Sequence, residues 1–506
     1  MRPTLLATAL VFIVALLLSV WHNDFPASYH PDEPAKVTQV LSGERNLHHP
    51  PLMLDAAAAV LRLRDGAPPI ATAERAVQTG RWLSAFYLAA ACTCLTWLAG
   101  FYAGPLAAVV AGCLLAGNTQ AVLAGHFFKE DPLFVLGLSL TLLAGAYLWK
   151  FPPQRWLPLL ALAAAAGFAT ATKYLGVLAL LYATALELMA PRAATMRHPS
   201  WRLLALWLVA VGTTLLLSIS SWWGRFPELA QALLEAGHTT QAGNEAVGAR
   251  VPHGQFVGMF FIETPPLVLL GVALFCRRAW PRDARSIRTH FDRWLLLSAP
   301  FVLLLVFSFS AITAVRYFLP ISVLLSCLGG CGLALGMQSA SAWAHERWGF
   351  RPSVTTCAAV AVCGLFQLPA LLSLERGFAT DDRRALREFV STQLPPDAVI
   401  ATDSLAGLDA APALRQRVLT RKAIAELGDL PALRAQGVTH VVVCWYDSRR
   451  YVDPSKHPAR GTEAEFLRRR DFYLGLEKHA RLLWHRDIAQ PFPLRPGLSL
   501  YALDEK

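Results

Sequence analysis

Residues 317–337 read YFLPISVLLSCLGGCGLALGM, an unbroken run without a charged side chain. A helix needs about 20 mostly apolar residues to cross about 30 Å of hydrocarbon, and this run is long enough. Runs of the same kind lie near 4–21, 82–100, 104–124, 132–149, 156–172, 174–190, 203–221, 259–276, 294–312 and 354–374. The chain is therefore expected to be a polytopic α-helical membrane protein with about 11 transmembrane helices.

Composition points the same way. Of 506 residues, 55% are hydrophobic and 16% charged, against about 45–50% and about 25% in soluble domains. The formal charge of +11 comes from 46 basic and 35 acidic residues, and its placement argues for membrane orientation rather than for nucleic acid. One set of loops holds Arg2, then Lys150 and Arg155, then Arg192, Arg197 and Arg202, then Arg277, Arg278, Arg282, Arg285, Arg288 and Arg293, then Arg347 and Arg351. Basic residues near span ends mark the cytoplasmic side. The N-terminus is thus expected to be cytoplasmic, with residues 22–81, 222–258 and 375–506 outside. No small-x-small cleavage site promptly follows the first run, so it is expected to stay as a span and not to act as a removed signal peptide. The abundance of Ala and the excess of Arg over Lys fit a GC-rich bacterial source, and hence a bacterial inner membrane.

Eight of the nine cysteines lie in or beside apolar runs, leaving only Cys444 in a hydrophilic region. That pattern gives no disulfide framework and no zinc-type pairing.

Two parts outside the spans carry structure of their own. The first loop, 22–81, holds helical patterns at 34–42 and 51–64, the second apolar with Arg62 and Arg64 at its end. It can lie in the interfacial plane or pack on the protein itself. The last stretch, 375–506, changes composition and reads as a small α/β domain, following a transmembrane domain over 1–374. Helices are expected at Asp381–Leu394, Leu430–Gln436 and Glu463–Leu483, and strands at Ala398–Asp403, Val438–Trp445 and Leu498–Leu503. It has no glycine-rich phosphate loop, so nucleotide binding is not expected.

The chemistry is concentrated where spans end on one side. Tyr29-His30-Pro31-Asp32-Glu33-Pro34-Ala35-Lys36 follows the first span and sets two carboxylates between prolines that keep the backbone out of a regular helix. Scarce water near the headgroups raises a carboxylate's pKa and nearby cations lower it, a setting for a general base; a solvated turn or a helix cap is the plainer use of such a pair. His126-Phe127-Phe128-Lys129-Glu130-Asp131-Pro132 brings a second acidic pair to the same side. Charges at span ends with no long loop around them tend to face a cavity or site. Lys173 and Arg316 are among the few basic residues in the short loops of that side. They serve either as snorkelling anchors or as partners for a phosphate whose negative charge grows as it departs. His30, His48 and His49 lie near Asp32 in sequence, but their spacing matches no zinc pattern.

In these features the chain resembles the polytopic glycosyltransferases of the C superfamily (GT-C), in particular the protein O-mannosyltransferases and the aminoarabinose transferases, like glycosyltransferase family 39. The resemblance rests on His30-Pro31-Asp32-Glu33, on His48-His49-Pro50-Pro51-Leu52 between the two loop helices, and on Lys129-Glu130-Asp131-Pro132. Thr172-Lys173 and Arg316-Tyr317-Phe318-Leu319-Pro320 add to it, and together they span roughly residues 1–340. The resemblance implies a GT-C fold, a polyprenyl-phosphate sugar donor and inverting transfer on the outer face to a lipid, protein or glycan acceptor. Asp32 would be the general base with Glu33 beside it in the catalytic pair. Lys36, His49, His126, Lys129, Glu130, Asp131, Lys173, Tyr174, Arg316 and Tyr317 would line the substrates. No cofactor and no catalytic metal are implied, although Glu130 and Asp131 could hold a divalent ion. The C-terminal domain matches neither group, which leaves the acceptor open. A transporter or flippase is the alternative reading of charges near span ends, and a non-catalytic scaffold that displays the outer domain is a third.

Overall fold

The computed structural model describes residues 2–25, 30, 32–66, 72–150, 156–189, 199–242, 255–279, 290–309, 315–349, 351–409, 414–454, 458, 462–488 and 495–503. Tyr29, Pro31, Arg155, Arg192, Arg197, Arg282, Arg285 and Arg288, used in the sequence reading, lie outside the described residues.

The first loop follows α1 (Arg2–Val20) and forms α2 (Glu33–Ser42) and α3 (Leu52–Asp65). Then come α4 (Ala73–Ala103), α5 (Pro105–Ala116), α6 (Thr119–Gly125), α7 (Asp131–Lys150), α8 (Trp156–Thr172), α9 (Val177–Met189) and α10 (Pro199–Trp222). After these run α11 (Phe226–Ala242), α12 (Gln255–Glu263), α13 (Pro266–Ala279), α14 (Phe291–Ser308), α15 (Leu319–Trp348) and α16 (Pro352–Ala379). Among the described residues seven helices are long and apolar enough to span by themselves. Two bent pairs and two shorter apolar helices, Trp156–Thr172 and Tyr174–Met189, account for the other segments read in the sequence.

The runs at 104–124 and 259–276 are not continuous helices, as expected from hydropathy, but broken ones. Pro105–Ala116 and Thr119–Gly125 meet at 58°, and Phe256–Glu263 and Pro266–Ala279 at 102°. Hydropathy averages over a window and does not register such a break. At the first, Asn118 caps α6 through the Ala121 amide and donates to Ser322 and Ser326 of α15 at 2.7 and 3.1 Å. The second falls at Thr264-Pro265, where proline withholds the amide that would continue the helix.

Helix α15, which contains most of the 317–337 run, is the almost wholly buried axis of the bundle. Helix α13 approaches it through glycines: a Cβ at Gly332 would sit 1.8 Å from the Gly271 carbonyl oxygen, and one at Gly271 would sit 2.2 Å from that of Gly329. Such close backbone approach replaces hydrophobic driving force inside a membrane.

Helix α3 of the first loop packs on the protein itself. Its apolar face, Met53, Leu54, Ala57 and Leu61, packs with Val37 and Val40 of α2 and Val77 of α4. Leu63, at 88% exposure, is left on the other side.

The C-terminal region is a small α/β domain with α17 (Asp382–Gln393), β1 (Val399–Asp403), β2 (Arg417–Arg421), α18 (Leu430–Ala435), β3 (His440–Cys444), α19 (Trp445–Val452), α20 (Glu463–His479), β4 (Arg481–Ile488) and β5 (Pro496–Ala502). The sheet order is β2-β1-β3-β5-β4, with β1 parallel to both neighbours and β5 antiparallel to β3 and β4. The helix expected to run to Leu483 ends at His479, because its C-cap Ala480 is extended and leads into β4 at Arg481. Strand β2 and helix α19 escape the pattern reading: β2 is a five-residue edge strand with Arg at both ends, and α19 follows β3 without a turn.

Candidate active site

The connections of the bundle bring Asp32, Lys129, Lys173 and Arg316 to one end. Asp32 occupies the N-cap position of α2, yet its side chain caps no amide and is free to reach outward. Its Oδ2 accepts from Arg316 Nη1 at 3.0 Å and from Lys129 Nζ. Lys129 is held from behind, its amide donating to Ser84 Oγ at 3.1 Å and its carbonyl accepting from that hydroxyl at 3.2 Å. The Lys129 side chain is 6% exposed, whereas Asp32 is 36% and Arg316 40% exposed, so the carboxylate and the guanidinium face the opening.

Burial would raise the Asp32 carboxyl, but Lys129, Arg316 and, further down, His30 carry it well below its ordinary 3.8. His30 is itself lowered by burial and by Lys129; it accepts from the Asp32 amide at 3.2 Å and its ring lies 4.6 Å from that of Phe127.

A second network lies alongside. Glu130 is paired with Lys36, and its Oε1 is 3.3 Å from His49 Nε2. Burial opposes its ionisation, but Lys36, His49 and Lys129 pull its pKa well down. Asp131 opens α7 and pairs with Lys173 Nζ at 2.6 Å. Burial would lower the lysine, but Asp131 and Glu130 raise it. Tyr317 has Lys173 at 5.3 Å and Arg316 at 5.4 Å from its ring, and stacks on Phe307.

Three expected site residues have other surroundings. Tyr174 donates to the Leu47 carbonyl at 2.7 Å, bracing the first loop. His126 is buried, 2.8 Å from the carbonyls of Val122 and Trp21, with Phe378 of α16 stacked on its ring at 3.8 Å. Glu33 points away from the opening. It is fully buried, receives Arg81 Nε at 2.9 Å and Nη2 at 2.6 Å, and accepts the Phe128 amide at 2.7 Å.

Arg81 is the residue that the sequence reading missed. Its Nη1 donates to the Phe25 carbonyl at 2.5 Å and its guanidinium lies 3.6 Å over the Phe25 ring. The pair thus ties the end of the first span, the Asp32 turn and the Lys129 loop together. The available signal was a lone arginine at the very end of an apolar run, preceded by Gly80, where a Cβ would come within 2.2 Å of the Phe128 ring.

Among the described residues no three His, Cys, Asp or Glu side chains are grouped to hold a metal ion. About two helical turns from the charged cluster, counting from Asp131 to Leu138 and from Arg316 to Leu324, lies a cavity of about 220 Å³ lined by Leu138, Leu142, Leu178, Tyr182, Leu303 and Leu324.

This arrangement of helices is the fold of the GT-C glycosyltransferases. The chain is similar to ArnT from Cupriavidus metallidurans, whose structure bound to undecaprenyl phosphate matches with a TM-score of 0.54 at 16% identity, over 98% of this chain and 97% of that one. Its apo structure gives the same figures. The S. cerevisiae protein O-mannosyltransferase Pmt1-Pmt2 complex bound to the sugar donor matches 45% of this chain and 34% of that one, with a TM-score of 0.37 at 15% identity. No family model matches the sequence, and no curated protein is significantly similar to it.

Proposed function

We propose that the chain transfers a sugar from a polyprenyl-phosphate donor to an acceptor hydroxyl on the outer face of a bacterial inner membrane, with inversion and with Asp32 as general base. The observation that carries this reading is the Asp32 carboxylate held between Lys129 and Arg316 at the opening, with an apolar cavity about two turns from it. Around that opening the four cations Lys36, Lys129, Lys173 and Arg316 face the three carboxylates Asp32, Glu130 and Asp131. The single surplus positive charge suits a phosphodiester, which carries one negative charge, and the cavity suits its isoprenoid chain.

The same geometry orders the reaction. With no donor bound, Lys129 and Arg316 are spent on Asp32, which is then a weak base. A phosphate entering between them takes those cations, and the Asp32 carboxylate regains basicity next to the sugar it must serve. The base then removes the acceptor proton as the hydroxyl attacks the anomeric carbon, and the lipid phosphate leaves toward Lys129 and Arg316.

Activity requires ionised Asp32 and is lost as pH falls through its pKa. The acid limb of kcat/KM for the donor reports the free enzyme, where the cations hold that pKa below 3.8. The limb of kcat is expected at higher pH, because the bound phosphate has drawn the cations off. Coincident limbs would show that the phosphate does not compete for them.

Lys129→Ala and Arg316→Ala are each expected to weaken retention of a polyprenyl phosphate about 10–100-fold, the worth of a charge-assisted hydrogen bond. Equilibrium binding to the detergent-solubilised protein measures this.

The reading as a whole is tested by mass spectrometry of envelope glycans and glycolipids from cells carrying the wild type or Asp32→Asn. A one-sugar increment present only with the wild type is expected. The two broken helix pairs favour a transporter or flippase as a second reading, since such breaks line substrate paths in transporters. An unchanged glycan profile with altered solute uptake would decide for it.

A further inference from the structure

We propose that the C-terminal domain carries a second binding cleft, for a neutral oligosaccharide, which holds the acceptor glycan. Its role toward the acceptor rests on the transferase reading above, whereas its affinity for sugar does not.

The cleft lies where α19, the end of α20 and strands β4 and β5 meet, and its volume is about 630 Å³. Ligand pockets run from about 300 to about 1,000 Å³, so it has room for a short sugar chain. Trp445, Arg449, Glu477, His485, Asp487 and Tyr501 line it. A pyranose offers one apolar face of C–H groups and a girdle of hydroxyls. Aromatic rings match the face, and side chains with two adjacent oxygens or nitrogens match vicinal hydroxyls. Two carboxylates, Glu477 and Asp487, meet one guanidinium, Arg449, so the lining disfavours phosphates and other anions.

These groups are pre-set. Trp445 Nε1 donates to Ser499 Oγ at 2.5 Å, and that oxygen lies 2.8 Å from His485 Nδ1. His485 Nε2 is 2.9 Å from Asp487 Oδ1, which holds the imidazole in place. Serine, histidine and aspartate in a row invite a hydrolytic reading, but Ser499 is fully buried and its oxygen is engaged by both the indole and the imidazole. It serves as a brace. Asp487, whose side chain is 94% exposed, is left facing the opening.

The helix that lines the cleft also comes within electrostatic reach of Arg316. Trp445 is the first residue of α19 and Tyr446 the second. Burial raises the Tyr446 hydroxyl, and Arg316, next to Asp32, is among the cations that act against this. One short helix therefore presents a ring to the cleft and the next residue to the electrostatic field of the active site.

Saturation-transfer NMR on the full chain in nanodiscs tests the proposal, with maltohexaose, cellohexaose and chitohexaose as separate probes. Transfer to the ring protons of at least one is expected. In the Glu477→Gln/Asp487→Asn double variant, which alters only exposed side chains, binding is expected to weaken at least about tenfold with polyprenyl-phosphate binding unchanged. No transfer from any of the three, or transfer undiminished in the variant, overturns the cleft. Phosphate binding, followed on the same samples, fails or survives independently and reports on the transferase reading alone.

Discussion

Asp32→Asn is expected to lower sugar transfer about 10²–10⁴-fold, the usual worth of a positioned general base, while the protein keeps its fold and holds a lipid phosphate as tightly or more tightly. The two halves have one cause. Asparagine cannot take the acceptor proton, and it no longer competes with phosphate for Lys129 and Arg316. A residue needed only for folding would lose both properties. Transfer assays on the reconstituted protein, paired with equilibrium phosphate binding, make the distinction. Transfer within a few-fold of wild type would remove Asp32 from the base role, and weakened phosphate binding would refute the competition.

Arg81→Ala is expected to cost about 3–5 kcal/mol, the penalty for leaving a buried charge without its partner. Arg81 and Glu33 are both completely buried, and the Arg81 guanidinium also holds backbone carbonyls of the first loop. Arg81→Lys is not expected to rescue the loss, because an ammonium lacks the planar fork that meets both carboxylate oxygens. Arg64→Ala, which removes a half-exposed side chain from the same loop, serves as the control and should change stability by less than about 0.5 kcal/mol. Thermal unfolding in detergent measures all three, and an Arg81→Ala protein as stable as the control would show that the buried pair does not hold the loops.

Much of this architecture was legible because membrane burial imposes a crude and strong pattern. A run such as 317–337 has few alternatives to a span, and Lys173 and Arg316 stood out as basic residues in short loops that otherwise had few. What stayed hidden depended on partners distant in sequence. Arg81 looks like any basic residue at a span end until the chain folds Glu33 onto it, 48 residues away. Glu33 could not be told from Asp32 by composition, since only the rotation of the first turn of α2 sends one carboxylate to the opening and the other inward. The break at Asn118 was likewise invisible to an averaged hydropathy, because its compensation comes from Ser322 and Ser326 on another helix. In the C-terminal domain, the cleft is assembled across a strand pairing, His485 with Ser499, that no local pattern announces.

The stacking of Phe378 on His126 means that the two halves of the protein are not interchangeable parts. The ring at the foot of the C-terminal domain bears on the turn that continues into Phe127, Phe128 and Lys129, so a chimera joined before that ring would give up the backing of Lys129, the partner of Asp32, along with the domain. Any exchange of the terminal domain that preserves chemistry must carry the last turn of α16 with the membrane half.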